Sequence, residues 1–400
     1  MISPEGEPYV IHMNFGFKEQ TVFFHSAPKG LKIDIPANFY ALLASRHEQE
    51  GEKFVERDDV LELEGIPPTK ILYYDDYTKT SFNAKVLAIF GNKAVLDKTA
   101  FYPESGGQAS DTGTVNGEKV ISVEKQGPWI IHVMEKKPKF GAGDKINGEI
   151  NFDRRLQLSQ HHTATHIVNA AARIMLGKHV NQAGAKKEED KAHLDITHYE
   201  SLTAEQIQKI EDKANEIVKK GIKLESQIMK REEAERKYGM MIYQGGAVPG
   251  KNLRIVAMGN IDVEACGGTH LNNTLETGKI KIIKTTKIQD GVVRLVFTAG
   301  RATETSDKKQ DKLLEEIAAV LKVDIKEIPA RAQELFDKWK QAVKKKKKMS
   351  KKELELSIKE TFKGSNEEIL EKTAEILKTQ PEHVIKTVKR FMRELEGTNK

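Results

Sequence analysis

Two short motifs, far apart in the chain, narrow most what it can fold into and do. The first is the stretch 160–171, QHHTATHIVNAA, which reads as a helix: it is apolar at Ile167, Val168, Ala170 and Ala171 and free of Gly and Pro. On a helix His162 and His166 are four residues apart and share a face. Two imidazoles on one face are half of a divalent-metal site, and neutral imidazole suits zinc. The Glu of a metalloprotease HExxH is replaced by Thr163, so this helix offers ligands without that enzyme's built-in base. The second motif, ACGGTH at 265–270, holds the single cysteine of the chain. A Cys four residues before a His, joined to it through Gly267 and Gly268, can turn both side chains to one point, with the glycines supplying positive φ. The two motifs together offer His162, His166, Cys266 and His270 as a zinc set. A His pair on an amphipathic helix is usually incidental, and one buried Cys is usually packing. It is their joint occurrence that points to a metal.

HTATH followed by CGGTH resembles the editing domain shared by alanyl-tRNA synthetase and the free-standing alanyl-tRNA editing proteins. The likeness extends both ways. FYPESGGQ at 101–108 is similar to the family's Gly-Gly-Gln loop, GKHVNQ at 177–182 to the segment after the first metal helix, and YQGGAVPG at 243–250 to the archaeal version. It runs from about residue 30 to the C-terminus and marks the chain as the C-terminal, editing part of an archaeal-type enzyme. Asn38-Phe39-Tyr40 and Arg46-His47-Glu48 resemble a piece just upstream of editing that free-standing proteins lack. The resemblance implies one zinc ion per chain and hydrolysis of tRNA(Ala) mischarged with serine or glycine. It places Thr165 and Gln182 in the amino-acid pocket and the loop Gly106, Gly107, Gln108 at the substrate. It also implies tRNA binding, a separate catalytic N-terminal half as partner, and a homodimer through the C-terminal region.

Composition sets the frame around these motifs. The 400 residues suffice for two to three domains. A single Cys excludes a disulfide framework and points to a reducing compartment. No apolar run approaches a membrane span, and the first twenty residues lack a signal-peptide layout, so the expectation is a cytoplasmic protein. Of 65 Lys+Arg and 59 Asp+Glu, residues 301–400 hold 25 and 19, which leaves 40 and 40 in the first 300 residues. The whole positive excess therefore belongs to the tail. That suits a polyanion such as tRNA, and equally a solvated Lys/Glu surface.

Read in order, the chain is α+β, with a small β-barrel, then a two-layer α+β domain carrying the zinc site, then a helical C-terminal region. Residues 1–66 are a synthetase-like linker, with short strands expected at 9–12 and 21–24 and a helix at 38–47. Residues 67–150 hold short apolar runs at 71–74, 84–90, 93–96, 120–123 and 129–133, separated by turn signals such as Asn116-Gly117, which suggests a barrel. Residues 151–300 form the editing domain, with helices at 203–220 and 230–238 and strands at 194–197, 253–256, 279–283 and 292–297. In residues 301–400 an internal repeat is offset by 56: Ile328 aligns with Val384, Leu335 with Phe391 and Phe336 with Met392. Each copy reads as a short helix, a polar turn and a longer amphipathic helix needing an apolar partner. The lysine run 344–348 lies between the copies.

Hydrolysis of an aminoacyl ester needs a positioned water and stabilisation of a developing oxyanion, and zinc can supply both. Four protein ligands, however, close a tetrahedron that a catalytic zinc keeps partly open. Either His270 acts beside the metal as an acid or base, or the metal orders the pocket and holds substrate; the residues leave both open. No P-loop or class II adenylation motif is visible, so the chain alone is not expected to aminoacylate. Two other readings remain: an independent trans-editing deacylase, and a non-catalytic tRNA-binding subunit with structural zinc.

Overall fold

A computed structural model describes residues 14–18, 21–25, 60–74, 76–246, 248, 250–345 and 350–397. The strand expected at 9–12, the helix at 38–47 and the lysine run from Lys346 onward lie outside them. The chain divides into two compact units, Met1–Ala302 and Thr303–Lys400. No helix among the described residues is long and apolar enough to cross a membrane.

In the first unit, β1 (Asn14–Lys18) and β2 (Thr21–His25) pair antiparallel. Eight further strands come after them: β3 (Lys70–Ile71), β4 (Ser81–Phe90), β5 (Lys93–Leu96), β6 (Lys98–Thr99), β7 (Gly113–Val115), β8 (Glu118–Gln126), β9 (Trp129–Met134) and β10 (Lys145–Ile150). Six close a barrel in the order β10-β4-β5-β9-β8-β7. The alternation that predicts it is plain in β4, where Phe82, Ala84 and Val86 face in and Ser81, Asn83 and Lys85 face out. The expected strand 71–74 is corrected. Only Lys70 and Ile71 pair, parallel to β6, and the chain then turns so that Tyr73 packs edge-on against Tyr102 at 5.2 Å.

One buried arginine ties the barrel to the helix after it. α1 (Phe152–Leu176) starts at Asn151, whose side chain caps Arg154 N, and ends at Gly177. In its first turn Arg155 is 1% exposed. Its Nε lies 3.0 and 3.1 Å from the Asp111 carboxylate, its Nη1 donates to Tyr77 O at 3.1 Å, and its Nη2 donates to Ala100 O at 2.7 Å and to Asp111. A buried charge is tolerable only when its donors are met in this way.

The rest of the unit comprises β11 (Gln182–Lys187), β12 (Ala192–Thr197), α2 (Ala204–Lys219), β13 (Leu224–Lys230), α3 (Arg231–Tyr238), β14 (Asn252–Met258), β15 (Asp262–Ala265), β16 (Ile280–Gln289) and β17 (Val292–Ala299). One antiparallel sheet runs β11-β12-β17-β16, and a second runs β13-β14-β15. α1 is buried on nearly every side from Gln157 to Ala172, so it is a central helix rather than an amphipathic surface one. Its alanines 164, 170, 171 and 172 let α2 and the four-stranded sheet close on it around Ile167, Leu194, Ile210 and Phe297.

The second unit contains α4 (Arg301–Leu321, begun at the end of the first unit), α5 (Ile328–Trp339), α6 (Lys351–Leu354), α7 (Asn366–Leu377) and α8 (Val384–Gly397). The 56-residue offset holds in three dimensions. Lys322 and Lys378 take left-handed φ of 55° and 54°, and each is succeeded by a 3₁₀ turn, Ile325–Glu327 and Pro381–His383. The buried residues repeat too: Leu321 with Leu377, Ile328 with Val384, Leu335 with Phe391 and Trp339 with Leu395. Two expectations are corrected. In the first copy the leading helix is the longer one, 21 residues against 12. And the copies need no outside apolar surface, because they cover each other: Trp339 stacks on Phe391 with centroids 4.0 Å apart.

Candidate metal centre

α1 delivers His162 and His166 on one face, and the loop after β15 delivers Cys266 and His270. A nitrogen from each imidazole and the Cys266 Sγ all lie within 4.8 Å of one another. Sγ is 3.3 Å from His162 Nε2 and 3.3 Å from His270 Nε2. Around a tetrahedral zinc, Zn–N and Zn–S lengths put the ligand atoms roughly 3.3–3.6 Å apart. The side chains are therefore spaced to hold such an ion.

Each imidazole is oriented by an oxygen on its far nitrogen. His162 Nδ1 is 2.7 Å from Gln108 Oε1, His166 Nδ1 is 3.2 Å from Asp262 Oδ2, and His270 Nδ1 is 3.3 Å from Thr163 Oγ1. An acceptor on Nδ1 keeps the proton there and leaves the Nε2 lone pair for a metal. The chemistry of the donor set and the orientation of its rings both fit zinc.

Electrostatics points the same way. Burial pushes the Glu264 carboxyl up to about 8, with Asp262 adding to the effect and His166 opposing it. Burial alone would depress His166, but Glu264, whose Oε2 is 3.3 Å from Nε2, and Asp262 raise it well above its ordinary value. Burial would raise the Cys266 thiol, yet His162 and His270 bring it well below the usual range. In the metal-free site Glu264 thus tends to hold its proton and His166 to take one up; a dication bound among these groups would displace both protons.

The loop glycines serve this geometry in a way the sequence reading misjudged. Neither Gly267 nor Gly268 has positive φ. A Cβ on Gly268 would instead stand 1.9 Å from His162 Cε1, so glycine is needed for room against the ligand ring. Residues 253–296 match the family described as threonyl and alanyl tRNA synthetase second additional domain, a stretch that includes Asp262, Glu264, Cys266 and His270. Residues 8–154 match tRNA synthetases class II (A). Curated relatives are alanine–tRNA ligases. That of Methanocella arvoryzae is 46% identical over 79% of this chain, that of Methanococcus aeolicus 44% over 78%, and that of Thermococcus kodakarensis 41% over 86%. The chain belongs to the alanyl-tRNA synthetase family. It spans 36–38% of the length of those three relatives.

The other residues singled out in this synthetase-family chain fall in two places. Gln108 is buried and both ends of its amide are spent: Nε2 donates to Thr269 Oγ1 at 2.8 Å, and Oε1 faces His162 and accepts from Thr269 N at 3.1 Å. Gln108 thus stands behind the ligand His162 and braces it. Gly106 and Gly107 take φ of 57° and 69°; Gly106 faces open space, whereas Gly107 presses on β11. A Cβ on Gly107 would be 2.0 Å from Ala185 O, and buried Lys187 reaches Gly106 O with Nζ at 2.9 Å. We expect Gln108→Leu to weaken zinc binding about 10- to 100-fold, the range for loss of a partner behind a ligand, as read by chelator competition.

Thr165 is fully buried, and its hydroxyl donates to His161 O at 2.8 Å, one turn back in α1. Gln182 opens β11; its N–H donates to Gln244 Oε1 at 2.8 Å, and its carbonyl accepts from Gly245 N at 3.0 Å. Gln244 Oε1 also accepts from Asn169 Nδ2 at 3.2 Å, and the same Nδ2 is 3.1 Å from Glu264 Oε1. Gln182 is thus linked through Gln244, Asn169 and Glu264 to His166. The sequence reading missed Asp262, Glu264 and Asn169. One signal was there: in DVEAC, Asp262 and Glu264 alternate onto one face of a strand that ends just before the cysteine.

Proposed function

We propose that this chain is a zinc-dependent aminoacyl-tRNA deacylase, the editing part of an alanyl-tRNA synthetase, acting on tRNA(Ala) mischarged with serine or glycine. The convergence of His162, His166, Cys266 and His270, with Nδ1 of every imidazole held, carries the reading. Zinc, when bound, supplies Lewis-acid polarisation of the ester carbonyl and charge stabilisation. Gln108, Asp262 and Thr163 keep each imidazole in the tautomer that binds the ion, and Asp262 and Glu264 flank His166, where a bound ion would favour the ionised form of Glu264. Thr165 and Gln182 select the amino acid, in keeping with the family's motif.

A second site is needed because a hydrophobic alanine pocket rejects an added hydroxyl by only about 10²-fold and admits anything smaller. A site whose polar groups hydrogen-bond a hydroxyl spares alanine, which would leave them unpaired. Ser-tRNA(Ala) should therefore be hydrolysed at least about 10²-fold faster than Ala-tRNA(Ala). Thr165→Val and Gln182→Ala should change that ratio more than they change tRNA affinity. Equal turnover of both esters by the unaltered chain ends the selectivity argument. Aminoacylation would require a catalytic N-terminal half, and tRNA(Ala) is the proposed partner of both parts. The closed set of four ligands favours one other reading, structural zinc in a tRNA-binding subunit; a zinc-loaded chain that hydrolyses no ester at all would establish it.

A further inference from the structure

Arg254 stands at the edge of the metal centre with half of its guanidinium committed and half open. It lies on β14, paired across to Ile228 of β13, and Cys266 N donates to its carbonyl at 3.0 Å. Its Nη1 donates to Cys266 O at 2.9 Å and to Gly268 O at 3.0 Å, the two carbonyls flanking Gly267. Its guanidinium carbon sits 4.4 Å from the centroid of the Tyr74 ring, and the Tyr74 hydroxyl donates to Gly267 O at 2.6 Å. These contacts fix the plane of the group. Nε and Nη2 make no hydrogen bond among the described residues, and the side chain is half-buried.

What sets Arg254 apart is the missing carboxylate. Arg154, Arg155, Arg173, Arg231 and Arg294, the other buried and half-buried arginines described in this unit, each have one within 4.0 Å. Among the described residues Arg254 has none there. A held cation with two parallel N–H groups free is shaped for a bidentate anion, a carboxylate or a phosphate. Its cross-strand neighbour Ile228 is 70% exposed, so apolar surface lies beside the open edge. On the deacylase reading, on which this inference rests, the substrate brings a phosphate to that place: the acylated ribose carries its own 5′-phosphate one sugar away from the ester. We propose that Arg254 binds the 5′-phosphate of the terminal, acylated nucleotide and so sets how deeply the RNA end enters the metal centre.

The test compares two small esters, 2′(3′)-O-seryl adenosine and 2′(3′)-O-seryl AMP, which differ only in that phosphate. The unaltered chain should favour the AMP ester in kcat/KM by about 10-fold or more, carried mainly by KM. Arg254→Gln should bring the ratio near one, and Arg254→Lys, which keeps the charge and loses the fork, should fall between. Arg254 also braces the Cys266 loop, so zinc content is measured in each variant and only zinc-replete protein is compared. An unchanged ratio in zinc-replete Arg254→Gln, or no preference in the unaltered chain, overturns the proposal. If the unaltered chain hydrolyses neither ester, the deacylase reading fails, and direct binding decides Arg254. AMP should then bind more tightly than adenosine, with the difference lost in Arg254→Gln; equal binding of the two overturns the assignment.

Discussion

The unaltered chain is expected to retain one zinc ion, and Cys266→Ala, His162→Ala and Gly268→Ala should each leave the purified protein with little of it, and ester hydrolysis should fall with it. The first two remove donors whose atoms lie 3.3 Å apart. The third removes none, which makes it the sharper test: a methyl group at 268 would stand 1.9 Å from His162 Cε1, so ring and loop cannot both keep their places. Elemental analysis and single-turnover deacylation read the outcome, and stoichiometric zinc in Cys266→Ala would sink the site. Acid should release the metal too, because every imidazole must be neutral to bind it. Burial holds His270 down at about 4 and His162 well below its ordinary value, so their neutral forms persist under pH 6.5. Because these two groups take up protons more readily in the unfolded chain, their own contribution to apo-site stability falls as pH drops from 6.5 toward 4, while the raised Glu264 and His166 contribute in the opposite sense. Zinc binding should weaken over the same direction of pH.

How much was legible beforehand depended on how local each signal is. The four proposed metal ligands sit in two motifs of five residues, and helical spacing already places two of them on one face. The barrel walls are set by alternation in runs such as 81–90 and 129–134. β11, whose sequence is QAGAKK, has no β-branched or aromatic residue and exists because β12 and the Gly106–Gln108 loop pair with it. Gln108 belonged to a recognised loop, but its role depends on reaching a histidine 54 residues away. Gly267 and Gly268 suggest backbone freedom to anyone reading the sequence, whereas Gly268 answers to a neighbour that only the fold reveals. Arg254 had no signal, since what matters is the carboxylate absent from its surroundings.

A chain ending at Ala302 should keep its zinc and still hydrolyse small seryl esters, yet bind tRNA(Ala) more weakly and with a shallower dependence on salt. Every ligand precedes residue 271, and the cores around Ile167, Phe101 and Ile255 are built within the first unit. The second unit has a core of its own from both copies of the repeat. With those apolar faces turned to each other, Ile358, at 41%, is the one exposed large hydrophobic described there. What this unit offers a partner is therefore charge: with 24 Lys+Arg against 19 Asp+Glu it carries +5 of the chain's net +6. That favours RNA over a second protein surface, and a homodimer through this region would have to form on polar contacts. Phosphate contacts release counterions, so each one lost should make the log–log salt slope less negative by roughly 0.9 on duplex RNA, by analogy with B-DNA. Filter binding across a salt series, with the oligomeric state checked by light scattering, measures this. Unchanged affinity and slope after removal of the second unit would mean that its positive charge only faces solvent, as Lys/Glu surfaces commonly do.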